Sequence, residues 1–214
     1  MVGGAFLLSN RTGISLAGAG PEIERLIALL AKLPGLGQRS ARRAALALLK
    51  RREQLLLPLT AAMQDAADKV TTCRVCGSLS TQDPCAICSD PARDRAMICV
   101  VEEDSALWAM ERVGAFSGRY HVLGGLLSAL DGVRPEDLRM EGLIERIKAG
   151  GISEIIMALP ATVEGQTTAH YIADRLKYHD NSVTISHLAR GVPVGGDLDW
   201  LDDGTIAHAF KSRR

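Results

Sequence analysis

Four of the five cysteines fall in two close pairs, Cys73-Arg-Val-Cys76 and Cys85-Ala-Ile-Cys88, with the eight residues Gly77–Pro84 between them. Four thiolates can close a tetrahedral site around a borderline-soft cation, and each C-x-x-C turn directs two sulfurs at a common point. The spacing therefore predicts a small four-cysteine knuckle holding one structural Zn2+ per chain at Cys73, Cys76, Cys85 and Cys88. With no open coordination position the metal has no reaction to perform. It holds together a segment too short to fold by itself. A redox dithiol needs only one of the two pairs, and structural disulfides do not suit a reducing compartment. Cys99, in an apolar run, reads as a core residue.

The second constellation is basic. From Glu22 the residues Ile23, Leu26, Ile27, Leu30 and Leu33 recur at helical spacing, and Pro34 is expected to stop that helix by pushing Leu33 out of helical geometry. Gly35 and Gly37, flanking Leu36, permit a tight turn into a second helix with Ala41, Ala44, Ala45 and Leu48 on one side and Arg39, Arg42 and Arg43 on the other. The unpaired amides of that helix's first turn favour an anion. Gly35 and Gly37 let a phosphate approach, Leu36 tucks back between the helices, and Arg39, Arg42 and Arg43 add charge along the same backbone track. Such contacts position DNA without reading its sequence. The plain alternative is a helical hairpin with a solvated basic face. Lys50, Arg51 and Arg52 read equally as a solvated helix end or as further DNA contact. A third helix is expected to open at Pro58, its stripe of Leu59, Met63, Ala66, Ala67 and Val70 serving as core or subunit interface.

Charge is distributed to match. The formal net charge is zero, but Pro21–Val70 holds nine Lys and Arg against five Asp and Glu, whereas Thr71–Arg214 holds fifteen against twenty. A nucleic-acid surface belongs in the first third. No apolar run approaches the roughly 18 residues of a membrane-spanning helix, and no basic start precedes an apolar core, so the expected location is cytoplasmic, with no membrane partner. The Gly-rich residues 1–20 read as a disordered extension.

After Asp94 strands and helices alternate: strands at Met97–Val101, Tyr120–Leu123, Glu154–Leu159 and Val183–Leu188, and helices at Ala106–Val113, Glu141–Lys148, Thr168–Lys177 and Ile206–Phe210. Alternation predicts a mostly parallel sheet covered by helices, with functional groups at the C-terminal strand ends. Glu102 and Glu103 follow the first strand; Thr162, Glu164 and Gln166 follow a later one. No G-x-x-x-x-G-K-[ST] loop is present, so nucleotide hydrolysis is not inferred. The fold class is multidomain, α and α/β.

Leu33-Pro-Gly-Leu-Gly37 resembles a helix-hairpin-helix motif, and the four-cysteine knuckle follows it. Ile98-Cys-Val-Val-Glu-Glu103 with Pro160-Ala-Thr-Val-Glu-Gly-Gln166 resembles a Toprim domain. In this order, and ending in Arg190-Gly-Val-Pro-Val-Gly-Gly-Asp197, the motifs resemble the RecR family from Pro21 onward. The resemblance implies a helical domain at 21–72, the knuckle at 73–92, a Toprim-like domain at 93–190 and a Walker B-like arm and helix at 191–214. Val192–Gly196 is expected to be irregular. Toprim enzymes hold magnesium with a Glu and an Asp-x-Asp pair; here Glu102 matches the first, but Thr162 and Glu164 stand at the pair and Gln166 follows. Too few carboxylates remain for a two-metal centre, which argues against catalysis. Glu102, Glu103 and Glu164 are left as solvated loop acids or, as the resemblance favours, a docking edge for a basic partner. What the family further implies is a non-enzymatic mediator of recombinational repair that binds single- and double-stranded DNA. It would act with RecO and, in some lineages, RecF, and promote RecA loading at single-stranded gaps on the nucleoid. It would form a homo-oligomer, either a dimer or a tetrameric ring. The competing expectation is a Toprim-type nuclease using Glu102.

Overall fold

The computed structural model describes residues 20–179, 182–189, 198–201 and 203–211. The expected N-terminal extension, apart from Gly20, and the expected irregular arm Val192–Gly196 lie outside them. The chain divides into two compact units between Asp68 and Lys69.

The first unit is helical. Helix α1 (Pro21–Leu30) starts on a proline, whose missing N–H costs nothing at a helix start, and α2 spans Gln38–Lys50. Ile27 packs against Ala41 and Ala45, which are fully buried, with Ile23, Leu26 and Leu30 around them. Helix α1 ends three residues short of the Leu33 boundary set by Pro34, because the chain tightens first: Lys32 N–H donates to the Leu29 carbonyl and Leu33 N–H to that of Leu30, both at 3.1 Å. The third helix does not open at Pro58. A π-helical turn at Arg52–Leu56 runs straight into α3 (Leu57–Lys69), with Leu55 and Leu56 N–H both directed at the Arg51 carbonyl. That wide turn resets the hydrogen-bond register just before a residue that cannot donate. Helix α3 buries no side chain; Met63 is 63% exposed, so its apolar stripe is no part of a core among the described residues.

In the second unit, β1 (Thr71–Thr72) and β2 (Leu79–Ser80) form a small antiparallel hairpin, and α4 (Ala86–Ser89) carries Cys88. Four parallel strands follow, β3 (Met97–Val101), β4 (Arg119–Val122), β5 (Glu154–Ala158) and β6 (Thr184–His187), in the spatial order β4-β3-β5-β6. The linking helices are α5 (Asp104–Val113), α6 (Met140–Lys148) and α7 (Val163–His179), with α8 (Asp203–Lys211) after a short 3-10 turn. Alternation along β3 sends Ile98 and Val100 into one core with α6 and α7, and Cys99 and Val101 into another with α5. Cys99 is buried, as expected of a residue in a strand covered on both faces.

Helix α7 begins five residues before the expected Thr168. The Thr162 hydroxyl accepts the Gly165 N–H at 3.1 Å, the geometry of an N-terminal cap, so a stretch read as loop is the first turn of the helix. Gly165 is required there, since an added Cβ would lie 2.1 Å from the Pro160 carbonyl oxygen. Similarly α5 starts at Asp104 rather than Ala106, and the Asp104 carboxylate also accepts the Leu79 N–H of the knuckle at 2.9 Å.

Candidate zinc centre and nucleic-acid interface

Cysteine pairing is set by local turns. After the first pair the chain reverses at Gly77 (φ 79°), where Gly77 N–H donates to the Cys73 carbonyl at 2.9 Å and Cys73 N–H to that of Ser78 at 2.8 Å. The second pair enters α4. All four cysteines are buried, and their sulfurs lie within 4.8 Å of one another. Metal–sulfur bonds of about 2.3 Å in a tetrahedron place sulfurs roughly 3.8 Å apart. Cys76 Sγ and Cys85 Sγ are 3.6 Å apart, close to that spacing, so the donor set suits a zinc ion. Outer hydrogen bonds already serve the sulfurs: Cys85 N–H donates to Cys73 Sγ at 3.3 Å, and the Ser78 hydroxyl lies 3.1 Å from Cys76 Sγ. A hydrogen bond from Cys88 holds Cys76 down at about 5, while the same contact and burial push Cys88 up. A bound cation would hold all four as thiolates, with protons released.

The knuckle docks on the free edge of β4, the outermost strand of the sheet. Val122 N–H donates to the Cys76 carbonyl at 2.7 Å, and Ile87 packs against the core formed by β3, β4 and α5. Gly77 has no space for a side chain, because an added Cβ would lie 2.8 Å from Arg139 Cδ and 2.9 Å from the Val122 carbonyl oxygen. The close approach of knuckle and strand thus depends on that glycine. Sequence reasoning missed it, although its place directly after Cys76 was a signal.

At the other candidate site, α2 starts at Gly37 without a side-chain cap, so no local oxygen competes for the first-turn amides. Gly35 adopts φ 77°, the left-handed region that favours glycine. Gly37 does not: its φ is −70° and an added Cβ would meet nothing within 4 Å, so beyond the N-cap's ordinary preference the turn makes no steric demand for glycine there. Leu36 is half-buried, and Arg39 and Arg43 are exposed one turn apart. Arg42 lies at the flank, half-buried, with its Nε out of reach of solvent and without a protein partner.

Glu102 is half-buried and its carboxyl is raised by burial and by Glu103, which is exposed; Glu164 lies in the first turn of α7. Among the described residues the four cysteines form the one group of three or more His, Cys, Asp or Glu placed to hold an ion. Thr162, at a position where Toprim enzymes carry an acid, is committed to capping α7.

Comparison with known proteins matches four successive segments of the chain. Residues 23–67 match the RecR helix-hairpin-helix, 70–90 the RecR four-cysteine zinc finger domain, 96–189 the Toprim domain and 191–214 the RecR C-terminal region. Recombination protein RecR of Caulobacter sp. (strain K31) is 72% identical over 198 residues, covering 92% of this chain and 98% of that relative. The chain belongs to the RecR family. Recombination protein RecR of Phenylobacterium zucineum is 71% identical over the same shares, and that of Parvibaculum lavamentivorans 61% over 93% of this chain and 99% of its own length. The RecR zinc finger match spans all four ligand cysteines, and with their geometry it makes the knuckle a zinc site for one ion.

Proposed function

We propose that this chain is a non-enzymatic, DNA-binding mediator of recombinational repair. The observation that carries the reading is the start of α2, an uncapped helix N-terminus led by Gly37 and flanked by the exposed Arg39 and Arg43. First-turn amides and guanidinium groups are the natural partners of successive phosphates. Gly37 supports this further: its N-cap place favours a small residue, its backbone angles and neighbours ask no more than that, and the open space beside it leaves a phosphate free to approach the backbone. Gly35 and Leu36 shape the turn, and Arg42 lends charge from the side. Both single- and double-stranded DNA suit contacts that read no bases.

The named relatives are recombination proteins, which supports placing the activity in recombination. In this reading the chain acts at the nucleoid with RecO, and in some lineages RecF, to promote RecA loading at single-stranded gaps. Glu102, Glu103 and Glu164 form the edge that receives the basic partner. The apolar side chains left exposed on the helical unit, including Leu46, Leu57, Leu59 and Met63, support a homo-oligomer, whether a dimer or a tetrameric ring.

The deciding experiment is Arg39→Glu with Arg43→Glu, with DNA binding measured by anisotropy over a salt series. Loss of two phosphate contacts should weaken binding and flatten the log–log salt slope by about 2. Unchanged affinity and slope would remove α2 from the interface. Magnesium- or manganese-dependent cleavage of DNA that vanishes in Glu102→Gln would instead establish a Toprim nuclease.

A further inference from the structure

The edge strand β4 turns one row of backbone groups away from β3. Leu123 N–H points inward to the Val101 carbonyl, whereas Tyr120 and Val122 address the open edge. Two groups there are satisfied side by side. Val122 N–H donates to the Cys76 carbonyl at 2.7 Å, and the Tyr120 carbonyl accepts from Nη1 of Arg146 at 2.7 Å. Residues two apart on a strand direct their backbone groups to the same edge, so Arg146, reaching out from α6, arrives beside the first cysteine pair.

Arg146 is half-buried, and a guanidinium keeps its charge in a protein. A buried cation calls for a negative partner. Among the described residues no carboxylate forms an ion pair with Arg146 or with Arg119, whose Nε is also buried without a protein partner. The groups that favour the Arg146 charge against its burial are Cys88, Cys76 and Cys73, while Arg119 opposes it. Four thiolates around one divalent ion leave a net charge of about −2. The two excesses are therefore of opposite sign and adjacent.

We propose that Arg146, with Arg119 behind it, is the counter-charge of the zinc tetrathiolate: it slows metal loss and ties the docking of the knuckle on β4 to metal occupancy. Arg146 is a positioning residue in this scheme. It is not a ligand of the metal, and acts through its field and through the Tyr120 carbonyl.

Charge and hydrogen bond are separable. Arg146→Gln keeps an N–H donor for the Tyr120 carbonyl but carries no charge, whereas Arg146→Lys keeps the charge on a different head group. Zinc transfer from the full-length, zinc-loaded protein to a colorimetric chelator gives the loss rate, with zinc content and circular dichroism at time zero as the check on folding. The expected result is about tenfold faster loss in Arg146→Gln, at the lower end of the effect of outer-shell partners on metal affinity, and a rate within about threefold of the parent in Arg146→Lys. In cobalt-loaded protein the thiolate-to-metal charge-transfer band should shift to lower energy in Arg146→Gln, because the sulfur lone pairs lose a stabilising positive potential. An unchanged rate in Arg146→Gln overturns the proposal, and so does equally fast loss from Gln and Lys variants, which would make the fork geometry rather than the charge decisive. Should Arg146→Gln fail to fold, Arg119→Gln leaves the edge hydrogen bond intact; it should lose zinc about two- to threefold faster, and an unchanged rate there counts against the scheme.

Discussion

The helical unit buries Ile27, Ala41 and Ala45 and leaves apolar side chains along α2 and α3 exposed, whereas the α/β unit covers both faces of β3 and closes the free edge of β4 with the knuckle. The first has too little interior to be stable through its own packing, and the second adds a metal to a complete core. Stability and the proposed DNA surface are thereby segregated. The arginines of α2 sit on the unit with least to lose from being remodelled by a ligand or a second copy, while the zinc serves the unit whose sheet edge would otherwise be open to unwanted strand pairing.

Zinc removal is the largest test of that contrast. Structural zinc contributes on the order of 10 kcal/mol in isolated fingers. Chelation, or Cys76→Ser with Cys85→Ser, should lower the calorimetric transition of the α/β unit by more than about 10 °C. A transition that stays in place would make the knuckle an appendage of the sheet. Next in size is Gly165→Ala. The new methyl meets backbone that cannot swing aside, so urea unfolding should report a loss of about 3 kcal/mol from the α/β unit. A loss under about 0.5 kcal/mol would mean that the start of α7 is loosely held.

The α/β unit also carries a pH dependence with no counterpart in the helical unit, whose described residues include no histidine. His121 is fully buried and donates from Nε2 to the Arg139 carbonyl at 2.7 Å; burial holds its pKa down at about 4. In the unfolded chain a histidine titrates near about 6.5. Between those values the unfolded chain binds a proton that the folded chain refuses. Stability is complete above about pH 6.5 and falls toward pH 4, by about 3 kcal/mol across the window. His121→Gln keeps a donor and removes the titration, so its stability should vary less over this range than the parent's, the acid sensitivity of the zinc site being common to both. Parallel curves would show that His121 is not the responsible group.

The smallest effects separate folding from binding within the helical unit. Gly35→Ala should cost about 1 kcal/mol, because φ 77° is unfavourable for a side-chain-bearing residue. Gly37→Ala should cost up to about 1 kcal/mol of thermal stability, because alanine is a poor N-cap residue, while weakening DNA binding several-fold more than that loss accounts for, as expected if the backbone there meets phosphate. Equal effects of the two substitutions on DNA affinity, tracking stability, would argue that Gly37 has no special part in contact.

Much of the architecture was legible because it rests on local pattern. Apolar runs and helical periodicity located all four strands of the parallel sheet and the α1–α2 pair, with errors at the ends. The starts of α7 and α3 were missed for a related reason: the Thr162 cap and the π-helical turn before Pro58 are polar or irregular positions where a hydrogen bond, rather than burial, decides that the chain is helical. The metal site was legible as a ligand set because two C-x-x-C turns are self-contained. The strand-end acids read as a group, yet among the described residues Glu102 and Glu164 join no cluster of three ligands: β3 and β5 are neighbours, but Glu164 is carried past the strand end into the first turn of α7.

Residue types and spacing by themselves determined that this chain gathers four sulfurs, presents arginines at a glycine-led helix start and folds its last two thirds as α/β, because each of those properties is decided within a few residues of chain. Tertiary structure alone decided that the knuckle seals the edge of β4, that Gly77 and Gly165 face carbonyl groups with no room for a methyl, and that Arg146 lands beside the cysteines. Those are contacts between segments distant in sequence. Electrostatic pairing and close packing depend on distance through space, which no local pattern encodes.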